Sequence, residues 1–465
     1  MAIKHYRSIL PLALLLASNA LSAQTTLSDS ISTQLKAGVK GFQERYHSPS
    51  LVLIIVHKGK VIFSDASGYA DLDKKVPATI DTKYQIQSIT KMFTATLAMN
   101  LWEKGVIELD DDVRKFVPEY RISDTEGKLG KTTFLELATH SSGLPRNSRA
   151  DVEFAKQADT WMLTKKEMAS IKAPSINEFL KSLKSAKREY PEYELKPQDS
   201  RQYSNMGYAL LGIGLGRAAK ASYQEGVLNR IFKPLRLDNT GFGTFSDQDH
   251  VLATGYSYSN NDKKFIKTPN FYANAMAPAG GIYSTATDLA KFISAQFNAE
   301  NGVLSEKSMR MMQSLGIGWQ RAYPYVKHEG AMLGARTEIV IHPKLELGWA
   351  VLTNVTDFDF NRINEYVSSL VLPQFAEKPV TDLNQYVGTY SLAGGGDSIK
   401  LYLKDGKLYS TYLEDVLPQQ PLIFSGNNSL KSNGLNGHEI NYNFLTDKDS
   451  KISVLNLSQL MWIKQ

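Results

Sequence analysis

The chain has no cysteine. No disulfide can brace it and no lipid-bearing N-terminal cysteine can tether it, so the fold must hold on packing alone. Several chemical signatures are also missing: no His-Glu-x-x-His for zinc, no Gly-x-Ser-x-Gly elbow, no phosphate loop and no Gly-x-Gly-x-x-Gly. The eight histidines are scattered; His57 and His250 fit surface turns, and His342 fits the end of a strand. Nothing that remains calls for a cofactor or a metal. A basic stripe is absent too. The formal charge is +6, but Lys181, Lys184, Lys187 and Arg188 alternate with Glu178, Glu189, Glu192 and Glu194, which argues against nucleic acid as a partner.

The apolar run Ile9 to Ala17 is too short for a convincing membrane span. Preceded by Lys4, His5 and Arg7 and followed by small residues, it reads as a secretory signal over 1–23. Cleavage fits after Ala20 or after Ala23. The mature chain is then expected outside the inner membrane, periplasmic or extracellular, with no transmembrane anchor and a charge of +4 once Lys4 and Arg7 are gone.

What is present is 465 residues, 42% apolar and 22% charged, enough for one large soluble domain and a smaller one. The chain is organised around Ser88-Ile89-Thr90-Lys91 and the helical run that follows to Gly105. Met92, Phe93, Ala95, Leu97, Ala98, Met99, Leu101 and Trp102 cover most of its circumference, so this helix belongs inside a large domain. Ser88 is expected at or just inside its N-terminus, with Lys91 one turn on along the same face. A bland reading makes Ser88 a helix cap and lets Lys91 snorkel to solvent. It is the chain's only Ser-x-x-Lys.

Around this helix, 28–46 reads as an amphipathic helix with Ile31, Leu35, Val39 and Phe42 on one side. Residues 51–56 and 61–63 form a hairpin about Lys58-Gly59-Lys60. The lysine-rich residues after Pro145 suggest a solvent-facing insertion walling a cleft, with a helix near 176–183. Further helices are expected from Met206, up to about Leu235, over Leu289–Phe297 and over Ile363–Leu370. Strands are expected at 317–319, 328–331, 338–341 and 348–353. Pro373 and Pro379 mark a boundary, giving a large domain over 24–378. Beyond it, 379–465 reads as a small antiparallel sheet or barrel with strands at 399–403, 408–409, 421–424, 439–444, 452–457 and 459–463.

The chemistry left open is nucleophilic serine catalysis. A serine hydroxyl needs an adjacent base, and a lysine serves if burial or another cation lowers its pKa. Tyr203-x-Asn205 supplies a tyrosine to share the proton and an amide to hold lysine and substrate. Tyr258-Ser259-Asn260 and Tyr272-Ala273-Asn274 match the same pattern. Context favours Tyr203, which sits in a turn just before a packed helix.

Ser88-Ile89-Thr90-Lys91, Tyr203-Ser204-Asn205 and His328-Glu329-Gly330 resemble the three motifs of the serine beta-lactamase-related hydrolases. The similar branch holds class C beta-lactamases, penicillin-binding DD-peptidases, D-aminopeptidases and esterases. Thr139 to Leu144, Gly207 to Gly212 and Gly280 to Thr285 resemble that branch in the same order, over roughly 28–370. The resemblance implies an α+β fold: an antiparallel sheet flanked by helices, a helical lobe, and the site between them, with a small barrel-like β domain after it. It implies that Ser88 attacks a carbonyl, that Lys91 and Tyr203 pass its proton to the leaving group, and that Asn205 positions the substrate. The backbone N–H groups of Ser88 and Ala331 then form the oxyanion hole.

The third motif departs from the penicillin-recognising pattern, which has Lys or His, then Ser or Thr, then Gly. Here Glu329 replaces the hydroxyl, where its carboxylate would repel a substrate carboxylate, and His328 is a weaker cation than lysine; Arg336 is a candidate to compensate. The expected substrates are small esters, amides or short peptides, cell-wall-derived ones included, with weak turnover of carboxylate-bearing penicillins. A DD-carboxypeptidase or class C-like beta-lactamase is the alternative within the family. A catalytically silent envelope ligand-binding protein is the alternative outside it.

Overall fold

The computed structural model describes residues 27–375 and 382–465, apart from 124–126, 128–129, 151, 153–172, 198, 244–251 and 269–272 and, further on, 394, 413, 416–418, 427–428, 434–438, 448–450 and 458–459. The expected signal, the boundary at 378, residues 151 and 153–172 of the insertion after Pro145, His250 and Tyr272 lie outside the described residues.

The chain opens with α1 (Asp29–Arg45), β1 (Ser50–His57), β2 (Lys60–Asp71) and β3 (Val76–Pro77). α2 (Thr90–Glu103) and α3 (Asn205–Ala218) make the centre of the helical lobe, and α4 (Ala286–Ser294) leads out of it. The chain then returns as β4 (Gln320–Ala322), β5 (Tyr325–Met332), β6 (Ala335–His342) and β7 (Leu347–Thr353), and closes with α5 (Phe360–Phe375). The strands form one antiparallel sheet in the order β3-β2-β1-β7-β6-β5-β4.

β1 is apolar at consecutive positions because both faces of the sheet are covered. Leu51, Leu53 and Ile55 pack with Leu35 and Val39 of α1 and Ile363 and Val367 of α5. Val52, Ile54 and Val56 share a core with Met92 and Phe93 of α2 and Leu289 and Ile293 of α4. This layering brings the start of α2 against β5, and the site is built at that contact.

The remaining residues form a second sheet with its own core, which includes Tyr386, Tyr390, Leu401, Leu455 and Trp462. Its strands are β8 (Gly388–Leu392), β9 (Ser398–Lys404), β10 (Lys407–Ser410), β11 (Ile423–Gly426), β12 (Ser429–Asn433), β13 (Glu439–Thr446), β14 (Ile452–Leu457) and β15 (Leu460–Lys464). The order is β10-β9-β8-β15-β14-β13-β12-β11. The Leu422 N–H, just before β11, donates to the Leu408 carbonyl of β10 at 2.7 Å. The two edges therefore meet, and the sheet curls nearly into a barrel.

Three expected elements differ. Residues 317–319 are not a strand: Gly318 has φ +74°, and a Cβ there would lie 2.5 Å from the Ala95 Cβ. That close approach to α2 forces a turn, and pairing begins only at Gln320. The helices expected at Leu289–Phe297 and Ile363–Leu370 start earlier, because Thr285 caps α4 through the Asp288 N–H and Asp359 accepts from the Asn361 N–H at the start of α5. In the second sheet two described strands, β8 and β12, are missing from the sequence reading. β12 is mostly polar, Ser-Leu-Lys-Ser-Asn, and only its neighbours make it a strand.

Candidate active site

The backbone reaches Ser88 under strain. Gln87 holds φ +47°, a left-handed conformation that costs a residue with a side chain about 1–3 kcal/mol and persists where the surroundings enforce it. A single 3₁₀ turn, Gln87–Ile89, then feeds α2. Ser88 lies in that turn, partly open to solvent, and no side chain caps either helix start. The capping explanation of Ser88 therefore fails.

The snorkelling explanation of Lys91 fails as well, since the residue is 0% exposed. Its Nζ donates to Ser88 Oγ at 3.0 Å and to the Ala279 carbonyl at 2.7 Å. Burial first, then the nearby Arg146 cation, hold its pKa well below the ordinary lysine value. An amine driven toward its neutral form, 3.0 Å from a hydroxyl, can accept that hydroxyl's proton.

Tyr203 completes the cluster. Its hydroxyl hydrogen-bonds Ser88, while burial pushes its pKa up to about 12. Lys91 Nζ lies 4.8 Å from the centre of its ring. Ser204 caps α3 by accepting from the Gly207 N–H at 2.8 Å, which fixes the turn carrying Tyr203. Asn205 begins α3, and its Nδ2 donates to Asn147 Oδ1 at 2.9 Å. Tyr258, by contrast, stacks on His47 in a surface hairpin, with ring centres 4.0 Å apart.

β5 divides the third motif between the two faces of the sheet, because successive strand residues point to opposite sides. His328 faces Ser88 and is buried, with its ring centre 6.3 Å from that of Tyr203. Nδ1 lies 2.8 Å from the Glu329 carbonyl, which can only accept, so Nδ1 carries the proton and Nε2 offers a lone pair. Burial, reinforced by Lys91, lowers its pKa to about 3. The expected weak cation is therefore a neutral imidazole.

Glu329 takes the opposite face. Lys327 Nζ lies 3.1 Å from its carboxylate and 2.9 Å from that of buried Glu338, which also accepts from Asn364 of α5. The repulsion of substrate carboxylates expected at Glu329 loses its basis, because that charge is paired and directed toward α5. Arg336 is on this face too and lines, with Glu329, Asp357 and Phe358, a pocket of about 400 Å³. Neither residue is brought beside Ser88. Ala331 lies on the exposed edge of β5, beyond the 325–327 segment paired by β4.

Gly330 sets the distance between β5 and the turn of Ser88. A Cβ there would lie 2.2 Å from the Ile86 carbonyl and 2.4 Å from Thr337 Oγ1, two atoms already joined by a 3.0 Å hydrogen bond. Gly330→Ala is therefore expected to push the strand away from Ser88 and lower kcat/KM on an activated ester by about 10²-fold. A near-native rate in a variant of unchanged melting temperature would show that this spacing is not required.

Two neighbours escaped the sequence reading. His140, at φ +59°, accepts the Ser204 N–H on Nδ1 at 3.0 Å and lies over Tyr203, with ring centres 4.3 Å apart. Its only sequence signal is the Thr139–Leu144 phrase. Arg146 lies with Cζ 5.0 Å from the centre of the Tyr203 ring, and nothing in the sequence marks it. Among the described residues no group of three or more His, Asp or Glu side chains is placed to hold a metal ion. No described helix is long and apolar enough to cross a membrane.

The chain is 25% identical over 382 residues to Protein flp of Staphylococcus aureus (strain N315), covering 79% of this chain and 72% of that one. Its fold is similar to that of the octameric penicillin-binding protein homologue from Pyrococcus abyssi, with TM-score 0.61, 23% identity, and coverage of 94% of this chain and 100% of the other. It is also similar to EstCE1, a hydrolase with promiscuous acyltransferase activity, with TM-score 0.56, 20% identity, and coverage of 70% and 94%. The Beta-lactamase family model matches residues 35–371. The chain thus belongs to the beta-lactamase family and is a serine hydrolase that acts on small substrates through an acyl-enzyme.

Proposed function

We propose that Ser88 is the nucleophile, Lys91 the base that accepts its proton, and Tyr203 the group that shares this proton and delivers it to the leaving group. The observation that carries the assignment is the 3.0 Å contact from a fully buried Lys91 Nζ to Ser88 Oγ. Asn205 positions the substrate beside Tyr203. The N–H groups of Ser88 and Ala331 stabilise the oxyanion, and water then releases the acyl group. His328 contributes a lone pair and shape to this side of the cleft rather than charge.

The substrates we propose are small esters, amides and short peptides, with cell-wall-derived peptides among them. The setting we propose is the periplasm or the extracellular space, supported by the signal-like N-terminus. The small β domain after about residue 379 completes the proposed architecture. A single experiment tests the catalytic assignment: exposing the mature protein to a fluorophosphonate and measuring intact mass. One adduct is expected, mapping to the peptide that contains Ser88. An adduct on another residue would place the nucleophile elsewhere; no adduct at all would remove the assignment and favour a silent binding protein.

A further inference from the structure

Lys91, His140 and His328 all have lowered pKa values, chiefly through burial, and Tyr203 has a raised one. Each is thereby held toward its uncharged form. Arg146 is different. It is exposed, and it pairs with no carboxylate among the described residues.

Its backbone is nonetheless fixed. The Arg146 carbonyl accepts the Asn205 N–H at 2.8 Å and the Met206 N–H at 3.2 Å, two first-turn donors of α3 that have no partner within the helix. The guanidinium lies over the Tyr203 ring, Cζ to ring centre 5.0 Å. Stacking occupies one face of the guanidinium and leaves its edge N–H donors free. A charged fork of donors is therefore held at the mouth of the cleft, beside the tyrosine that faces the leaving group.

We propose that Arg146 is a specificity-determining residue that binds a carboxylate on the leaving-group side of the substrate. This rests on the assignment of Ser88 and Tyr203 given above. The class it selects is esters or amides whose leaving group carries a carboxylate, as the departing residue of a peptide does. The third motif offers such a group little hold, since His328 is neutral and Glu329 is paired on the other face. Arginine matches a carboxylate with two parallel N–H donors, a geometry lysine cannot reproduce.

The test uses two matched esters of one acyl group, one of phenol and one of 3-hydroxybenzoate, on the mature native protein, Arg146→Lys, Arg146→Met and Ser88→Ala. The readout is the ratio of kcat/KM for the carboxylate ester to that for the phenyl ester. The native ratio is expected to exceed one. It should fall about tenfold in Arg146→Met, mostly through KM, and by less in Arg146→Lys. A ratio that does not change in Arg146→Met, whatever the absolute loss on both esters, would overturn the proposal, because Arg146 would then act only through Tyr203. If Ser88→Ala keeps the turnover of both esters, the nucleophile assignment falls, and this proposal with it. A lost ratio with Ser88-dependent turnover upholds both.

Discussion

Replacing Ser88 with alanine is expected to abolish covalent labelling and to lower kcat/KM on an activated ester by about 10⁴-fold or more, the scale on which removal of a nucleophile is felt. The change removes one oxygen from a partly open turn and takes away no helix cap. Lys91 keeps its 2.7 Å hydrogen bond to the Ala279 carbonyl, so the fold has no reason to weaken. Intact mass, a rate and a melting curve on the same preparation check the three parts of this expectation. Persistent labelling of the alanine variant would place the nucleophile elsewhere. A rate loss accompanied by a collapsed melting temperature would give Ser88 a structural role.

Lys91→Met is expected to be nearly as damaging to the rate, by about 10³-fold or more, because the proton acceptor beside Ser88 disappears while a helix-compatible side chain of similar length remains. Its effect on stability should run the other way. In the unfolded chain a lysine holds its proton up to its ordinary pKa; in the folded protein burial lowers that pKa. Between the two values the unfolded state binds more protons than the folded one, so this group opposes folding there and stability rises with pH. Methionine has no proton to give up. The variant is therefore expected to melt higher than the native protein at neutral pH, with the gap closing as pH approaches the ordinary lysine range. The same linkage predicts that native activity falls on acidification as Lys91 takes up a proton, along a limb well below that range. Calorimetry of both proteins from neutral to alkaline pH, with a pH–rate profile, checks this. A variant that melts lower at neutral pH would show that the buried amine is stabilised by its hydrogen bonds more than it is destabilised by desolvation.

Opposed effects on rate and stability are what the proposed role of Lys91 requires. A helix made only for packing would carry an apolar side chain at that position, as it does at Met92, Ala95 and Met99, all fully buried. The strained Gln87 and the close passage of Gly330 past Ile86 belong with it. All three concentrate where β5 meets the start of α2.

Much of this was fixed by sequence alone. The unbroken apolar run of β1 requires burial on both faces, the all-round apolar surface of α2 requires an interior helix, and a Ser-x-x-Lys at its start brings hydroxyl and amine together one turn apart, since helix geometry needs no distant partner. The alternating strands at 399–403, 439–444 and 452–457 likewise belong to a sheet whatever surrounds them. Tertiary structure decided the rest, because it concerned residues far apart in the chain. It brought Tyr203 to Ser88 and left Tyr258 stacked on His47. Burial between the lobes removed the charge of His328. Glu329 pairs with Lys327 of β5, which also pairs with Glu338 of β6, itself bonded by Asn364 of α5, so the direction of Glu329 followed from strand alternation within a sheet whose register no local pattern reveals. Arg146 reached the cleft only because its carbonyl caps the first turn of α3, a helix that begins 59 residues later in the chain. Local periodicity specifies which face of an element is apolar; which charges meet across the cleft depends on how those faces close upon one another.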